Sequence, residues 1–311
     1  MDHISLSVVI GTYNRIDVLK QCLDSLLGKI KVSNEIIVVD AGSTDDTHEY
    51  LRNLQGVKVI CDEGLLGQAK SLNRVFRSLK SKYVCWLSDD NIVQPGMLDQ
   101  SVSILERNPK IGMISLKVKD ISGPYAGEEY VGGIWPTGVL NCNQGMLPVA
   151  LLNRMSGFDE RFRDYGVDSD LTTRVLLEGY KVVYTKQVAI HHLRDHDTKS
   201  WVDIQERKQR MEYARELYEQ KFDVLIKSWH GGNHNKARRE NPTTLRLILL
   251  SYRHARKLGI SIQDLTGLTE RDWRNLFKAR FVSKFDFLIN MKKPYYLVQY
   301  IPYELLSALV S

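Results

Sequence analysis

The sequence predicts an α/β fold with a mostly parallel sheet flanked by helices, and two observations support this prediction. Short apolar runs alternate with segments of helical spacing through about the first 115 residues. Alternation of this kind forms right-handed βαβ units, whose strands run parallel. Polar residues cluster directly after the apolar runs, and open α/β sheets bind ligands at the carboxyl ends of their strands.

Four strands are predicted in this part of the chain. Their apolar, β-rich runs cover residues 5–10, 35–39, 57–60 and 83–87. Apolar residues at helical spacing follow the first strand over residues 19–27. Residues 42–46 form a turn and helix cap after the second strand, and a third helix over residues 69–79 precedes the fourth strand. Gly11 and Asp40 end the first two strands, where turn chemistry begins.

Beyond residue 115 the helical spacing fails. Glycine and proline accumulate up to residue 150, which is typical of loops and short strands that shape a pocket. A strand is predicted over residues 181–190. A helix is predicted over residues 200–227, with one apolar stripe that we expect to pack on the core. The residues of this stripe are Met211, Ala214, Tyr218, Phe222 and Leu225. The glycine- and asparagine-rich residues 231–235 mark a boundary between a domain over 1–228 and a helical subdomain over 229–311.

Composition excludes several classes of protein. Of the 311 residues, 43% are hydrophobic and 26% charged, which is ordinary for a globular protein and excludes disordered, collagen-like and coiled-coil chains. No apolar run reaches the roughly 18 residues that a spanning helix needs, and the first residues lack the pattern of a secretory signal. The four cysteines are widely spaced and form no CxxC pair, as expected of reduced thiols in a cytoplasmic protein rather than of a disulfide framework or a zinc site.

The charge is unevenly distributed. Residues 1–200 contain 23 Lys and Arg against 25 Asp and Glu, a net charge of −2. Residues 201–311 contain 20 against 12, a net charge of +8, so the positive excess of the chain lies in its last third. Aromatic residues interleave with basic ones over residues 271–296, a pattern that suits an anionic membrane surface. The alternative is a helical subdomain that packs on the first domain. Nucleic-acid binding is not predicted, because no nucleic-acid motif accompanies the charge.

Two adjacent acids, Asp89 and Asp90, follow the fourth predicted strand. Adjacent carboxylates repel each other, and a divalent cation such as Mn²⁺ or Mg²⁺ removes that cost. Such an ion also neutralises a diphosphate leaving group. The alternative is that Ser88, Asp89 and Asp90 cap the next helix.

Three further clusters are candidates for chemistry. Asp168 opens a predicted helix and is a candidate general base, whereas Asp170 is expected to stabilise the helix N-terminus. His192 follows a strand and is expected to complete the metal site, although its spacing to His196 also admits zinc. Residues 11–15, together with Asp40 and the turn after it, are candidates for holding a base and ribose.

These motifs, in this order, resemble those of glycosyltransferase family 2. The similar segments are residues 8–15, 38–45, 67–73, 87–91 and 157–171, and the resemblance extends over residues 5–195. It implies a GT-A fold, which is a Rossmann-like, mixed and mostly parallel sheet flanked by helices. It further implies an inverting, metal-dependent reaction that transfers a sugar from a nucleotide-diphosphate sugar to a hydroxyl of a saccharide or lipid-linked acceptor. The expected pathway is polysaccharide or glycolipid biosynthesis, at the inner face of the membrane.

The resemblance also implies a role for each matched residue. Asp168 would be the catalytic base, and Asp90 with His192, or alternatively His191, would hold Mn²⁺ or Mg²⁺. The residues assigned to nucleotide-sugar binding are Thr12, Tyr13, Asp40, Lys70 and Asp89.

Three departures from the family pattern keep two alternatives open. Ala41, Ser88 and Val167 stand where the family usually has acids. A degenerate protein that binds nucleotide-sugars without turnover is therefore one alternative. A nucleotidyltransferase is another, although the basic, glycine-rich loop that would handle a triphosphate is absent from the N-terminal part.

Overall fold

The computed structural model describes residues 4–123, 126–127, 129–133, 135, 139, 141–194, 204–223 and 294–298. The strands are β1 (Leu6–Thr12), β2 (Asn34–Asp40), β3 (Val57–Cys61), β4 (Tyr83–Ser88), β5 (Asn91–Val93), β6 (Ile111–Ser115), β7 (Val118–Asp120), β8 (Glu129–Tyr130), β9 (Gly145–Pro148), β10 (Lys181–Thr185), β11 (Ile190–His192) and β12 (Tyr295–Val298). The helices are α1 (Ile16–Asp24), α2 (Thr47–Asn53), α3 (Gln68–Phe76), α4 (Met97–Arg107), α5 (Val149–Arg154), α6 (Val167–Leu177) and α7 (Ile204–Lys221).

The predicted α/β fold with a mixed, mostly parallel sheet is confirmed. The large sheet has the strand order β12-β10-β6-β9-β4-β1-β2-β3, and a smaller sheet has the order β5-β11-β7-β8. In the large sheet β1 pairs in parallel with β2 and β4, β2 with β3, and β6 with β10. The antiparallel strands are β9 and β12.

The strand register aligns the carboxyl ends of the parallel strands. Thr12 pairs with Asp40, Asp40 pairs with Cys61, and Gly11 pairs with Ser88. The four strand ends therefore form one row, from Cys61 to Ser88. The turn with the adjacent acids begins directly after Ser88.

Helices cover both faces of the large sheet, because the strands are apolar on both sides. Side chains alternate between faces along a strand, so Val9 and Val8 of β1 belong to different clusters. Val9 packs in the cluster that contains Leu72 of α3. Val8 packs in the cluster that contains Leu19 of α1. The sheet is thus buried on both faces and holds its strand ends rigidly.

Two predictions about elements were wrong. The strand predicted over residues 181–190 is two strands in different sheets. The Thr185 hydroxyl accepts a hydrogen bond from the Lys117 amide and donates one to the Gln187 carbonyl. These hydrogen bonds bend the chain out of the large sheet. The apolar stripe of α7 buries Ala214, Tyr218 and Phe222 as predicted, but Met211 is exposed. Leu225 lies outside the described residues.

The C-terminal part enters the described structure through β12, which adds to β10 at the edge of the large sheet. The predicted domain boundary between residues 228 and 229 lies outside the described residues. The predicted basic and aromatic segment also lies outside them as far as residue 293. The domain division and the membrane surface therefore remain predictions. Among the helices that the structure describes, none is both long enough and apolar enough to cross a bilayer.

Candidate active site

Asp89 and Asp90 form the turn between β4 and β5. The Ser88 amide donates to the Asn91 side-chain oxygen at 3.0 Å, and the Asn91 amide group donates to Asp90 Oδ1 at 3.3 Å. The next element is a strand, so the alternative that Ser88, Asp89 and Asp90 cap a helix is wrong. Both carboxylates are buried.

One arginine bridges the two buried acids. The Arg15 guanidinium lies 3.0 Å from Asp89 Oδ1 through Nη1 and 2.8 Å from Asp90 Oδ2 through Nη2. The Thr12 hydroxyl donates to Asp89 Oδ2 at 2.8 Å. Buried carboxylates are costly unless they are paired, so the positive charge of Arg15 holds this turn together.

The two carboxyl groups differ in their readiness to ionise. Burial raises the pKa of Asp89 above its usual range, against the lowering effect of Arg15. Burial also acts on Asp90, but the hydrogen bond and positive charge of His192, together with Arg15, bring its pKa below the usual value. Asp90 is therefore the acid of the pair that carries a firm negative charge.

His192 meets Asp90 from β11. Its Nε2 lies 3.4 Å from Asp90 Oδ2, and its Nδ1 lies 2.8 Å from Asp120 Oδ1. Burial alone would lower the pKa of His192, but the two carboxylates raise it to about 9. The Arg194 guanidinium forms an ion pair with the Asp120 carboxylate, and the Tyr130 hydroxyl donates to Asp120 Oδ1 at 3.1 Å. Asp120 is therefore held in place beside the imidazole.

The residues of this turn fit a divalent cation. Asp90 Oδ2 lies beside two groups that carry positive charge, Arg15 and His192, so this oxygen is a point of negative charge toward which cations are attracted. A carboxylate oxygen and an imidazole nitrogen are ligands that Mn²⁺ accepts. A histidine whose other nitrogen bonds a carboxylate, as His192 bonds Asp120, is the usual arrangement around bound metals.

Asp40 lies at the end of β2 and is buried, with a loop folded around it. Its Oδ1 accepts the Ser43 amide at 2.9 Å, and its Oδ2 lies 3.3 Å from His48 Nδ1. Tyr13 follows the neighbouring strand β1 and is half-buried. Asp40 and Tyr13 thus lie at adjacent strand ends, beside Thr12.

Asp168 is the second residue of α6, and its carboxylate accepts a hydrogen bond from the Asn141 amide group. Burial raises the pKa of Asp168 to about 6, against the lowering effect of this hydrogen bond. A carboxyl group with such a pKa is a suitable proton acceptor near neutral pH.

Residues 141–144 connect Asp168 to the acid turn. Asn141 bonds Asp168 at one end of this segment, and at the other end the Gln144 side chain donates to the Ser88 hydroxyl at 3.2 Å. Three residue steps span at most about 10 Å. The two groups of acids therefore border the same edge of the sheet, although they are about 80 residues apart in the chain.

Comparison with known proteins relates part of the chain to one family. Residues 7–134 match the model described as Glycosyl transferase family 2, and these residues carry β1 to β4 and the acid turn. This part of the chain is therefore similar to glycosyltransferase family 2.

Relatives of this part of the chain support the similarity. An uncharacterized glycosyltransferase of Haemophilus influenzae is 26% identical over 144 residues, which are 44% of this chain and 45% of the relative. An uncharacterized glycosyltransferase of Rickettsia prowazekii is 32% identical over 105 residues, which are 33% of this chain and 32% of the relative. The chain thus spans less than half the length of these relatives.

A solved structure supports the GT-A fold. S. aureus TarS 1–349 in complex with UDP-GlcNAc superposes with a TM-score of 0.54 at 15% identity, covering 90% of this chain and 92% of that one. At this identity the likeness concerns the fold. It confirms the GT-A architecture that the sequence motifs of the family 2 resemblance imply.

Two motifs of the family 2 resemblance are joined by a buried asparagine. Asn73 of α3 donates to the Phe158 carbonyl at 2.9 Å and accepts the Phe158 amide at 2.8 Å. It therefore fixes the Gly157-Phe158 turn against α3.

Lys70, the predicted phosphate contact, is exposed in the first turn of the same helix α3. Within the described residues no hydrogen bond or ion pair joins Lys70 to the acid turn.

Asp170 lies in the first turn of α6, as the sequence predicted for an acid that stabilises the helix N-terminus, and it also has partners from outside this turn. Its carboxylate is fully buried and accepts Arg174 Nε at 2.7 Å, and Arg174 also donates to the carbonyls of Met155 and Gly157 at 2.9 and 2.8 Å. The Lys221 ammonium group lies 2.5 Å from the same carboxylate. Asp170 thus ties α6 to the Gly157 turn and to α7.

Replacing Asp170 by alanine is expected to lower the free energy of unfolding by about 3 kcal/mol, because it removes the buried carboxylate that the largely buried Arg174 and Lys221 share. Urea denaturation measures this change. The control is Glu178→Gln, which breaks an exposed ion pair with Arg154 and should cost less than about 1 kcal/mol. Equal losses for the two variants would contradict the structural role of Asp170.

Sequence reasoning missed three residues of the candidate site. Arg15 was noted only as part of a strand-end motif, and Asp120 and Tyr130 were not singled out. The partners of these residues are 10 to 75 positions away, and no local pattern signals such pairing. His192, and not His191, contacts Asp90 in the structure, because neighbouring residues of a strand face opposite ways.

Proposed function

We propose that this chain is an inverting glycosyltransferase. It would transfer a sugar from a nucleotide-diphosphate sugar to a hydroxyl group of a saccharide or lipid-linked acceptor, in the synthesis of a polysaccharide or glycolipid. The similarity to family 2 and the relatives named as glycosyltransferases support this reaction class. The observation that carries the proposal is the convergence of Asp90 and His192 at the same sheet edge that Asp168 borders.

Asp90 and His192 would hold Mn²⁺ or Mg²⁺ in this proposal. When bound, the ion supplies positive charge that stabilises the departing nucleoside diphosphate. Asp89 faces the same point and would contact the ribose or the sugar of the donor, while Thr12 keeps its carboxylate in place. Asp40 and Tyr13 would line the pocket of the base, and Lys70 would contact a phosphate.

Asp168 would act as the general base. Its carboxylate takes the proton of the acceptor hydroxyl as that oxygen attacks the anomeric carbon of the donor. The bond from the anomeric carbon to the diphosphate oxygen breaks, and its electron pair leaves with the nucleoside diphosphate. Attack from the face opposite the leaving group inverts the configuration. The Asn141 amide group bonds this carboxylate, and in the proposal it would keep Asp168 in place for the acceptor.

A donor panel tests the proposal. The protein is incubated with Mn²⁺ and with UDP-, GDP- and dTDP-sugars, and release of the nucleoside diphosphate is measured, while binding is followed by calorimetry. Release with one donor supports the transferase. Binding without release supports the alternative of a degenerate binding protein, and neither binding nor release with any donor contradicts both.

The reaction rate should depend on pH through Asp168. The raised pKa of about 6 means that the carboxyl is protonated, and unable to accept a proton, below that pH. We expect kcat/KM to rise by about tenfold per pH unit below this point and to level off above it. Steady-state kinetics at saturating metal measure the profile, and a rate that does not change through pH 6 would contradict the assignment of Asp168 as base.

A further inference from the structure

Asp40, His48 and Cys61 form a second cluster of metal-ligating side chains, separate from the acid turn. One oxygen, one nitrogen and one sulfur of these residues all lie within 4.8 Å of one another. Asp40 is buried, the His48 side chain is 36% exposed, and Cys61 is exposed. The cluster is therefore open to solvent on one side.

The backbone itself brings two of these residues together. Asp40 and Cys61 are register partners at the ends of the parallel strands β2 and β3, and side chains at paired positions of a sheet point to the same face. His48 reaches them from α2, the helix that connects the two strands. The arrangement thus depends on the strand register and does not require an unusual side-chain conformation.

Two of the three distances between the ligand atoms match those around a tetrahedral zinc ion, and the third is within 4.8 Å. With zinc bonds of about 2.1 Å to nitrogen and oxygen and about 2.3 Å to sulfur, the ligand atoms are separated by roughly 3.4 Å for oxygen and nitrogen and roughly 3.6 Å for nitrogen and sulfur. His48 Nδ1 lies 3.3 Å from Asp40 Oδ2 and 3.6 Å from Cys61 Sγ.

The Asp40 carboxylate is also oriented as a ligand. Its Oδ1 accepts the Ser43 amide at 2.9 Å, which leaves Oδ2 for the cluster, and second-shell hydrogen bonds of this kind orient metal-binding carboxylates. A thiolate, an imidazole and one carboxylate are a softer ligand set than the acid turn, and they favour Zn²⁺ over Mg²⁺ or Mn²⁺.

We propose that Asp40, His48 and Cys61 bind a zinc ion whose fourth position is open. Because the proposed function places Asp40 in the pocket of the donor base, zinc at this site would compete with the nucleotide. The zinc site itself follows from the geometry alone, whereas the competition rests on the proposed function.

Cobalt substitution tests the site without any need for turnover. Adding Co²⁺ to the metal-free, reduced protein should produce a thiolate-to-cobalt charge-transfer band, which Zn²⁺ abolishes by displacing the cobalt. The acid turn cannot give this band through Asp90 and His192, because neither residue supplies sulfur. Calorimetry with Zn²⁺ then measures the affinity.

The expected result for Cys61→Ser is loss of the band and a decrease in zinc affinity on the order of 100-fold, since second-shell changes alone cost roughly 10–100-fold. His48→Asn should weaken zinc binding in the same way, and its unfolding temperature shows whether it is folded. Glu49→Gln, an exposed change on the same helix, is the matched control and should bind zinc as the parent does. A band that persists in Cys61→Ser, or no zinc binding by the folded parent, would overturn the site.

Competition is measured with UDP as the probe. If zinc lowers UDP affinity in the parent but not in Cys61→Ser, both the zinc site and the place of Asp40 in the nucleotide pocket are supported. If zinc binds with no effect on UDP, the zinc site stands and the assignment of Asp40 to that pocket is contradicted.

Discussion

Replacing Asp168 by asparagine is expected to lower sugar transfer by about 10²–10⁴-fold, the usual contribution of a general base. Asparagine keeps the size of the side chain and can still bond Asn141, but it cannot accept a proton from the acceptor hydroxyl. Donor binding should be unchanged, because the donor contacts are assigned to other residues. Release of nucleoside diphosphate and transfer to an acceptor are measured alongside binding of UDP or GDP.

The control for this variant is Glu178→Gln, which removes one negative charge from the exposed end of the same helix region. It should retain full transfer. If Asp168→Asn also retains full transfer, another group takes the proton and the base assignment is wrong. If donor binding is lost together with transfer, Asp168 acts in binding or in folding, and the unfolding temperature separates these two outcomes.

Replacing Asp90 by asparagine is expected to weaken Mn²⁺ binding on the order of 100-fold or more and to remove transfer with it. The variant loses the negative charge on which Arg15 and His192 converge, and the hard ion loses its anionic ligand. Electron paramagnetic resonance of free Mn²⁺ measures the affinity directly, so the result does not depend on turnover.

Asp17→Asn is the matched control for Asp90→Asn, because Asp17 is an exposed acid on α1. The control should bind Mn²⁺ as the parent does. Unchanged Mn²⁺ affinity in folded Asp90→Asn would contradict the metal site. A loss of transfer with Mn²⁺ affinity intact would assign Asp90 to contacts with the donor and would leave the metal to other residues.

Much of the fold was predictable because it depends on local patterns. The first four strands and the helices between them have strong apolar periodicity, and their positions in the structure agree with the prediction. The break between β10 and β11 was not predictable in this way. It depends on Thr185 bonding a residue 68 positions away, and an apolar run does not reveal that it is divided between two sheets.

The candidate site was predictable to a similar extent. Asp89, Asp90 and Asp168 stand out because acids that follow buried strands or open helices are conspicuous. The sequence also suggested different functions for Asp168 and Asp170. It did not suggest that Asp170 would pair with Arg174 and Lys221. This pairing requires Arg174 and Lys221 to meet one buried carboxylate, which depends on how α6 packs against α7.

The sequence by itself determined the class of the protein and the row of strand ends where its polar residues gather, since periodicity and motif order are local properties of the chain. Only the tertiary structure decided which groups meet there. Arg15 bridges the acids 75 positions away, and Asp120 orients His192 across 72 positions. The register of β2 and β3 likewise sets Cys61 beside Asp40. These pairings depend on strand order and register, which arise when the whole chain buries its apolar residues.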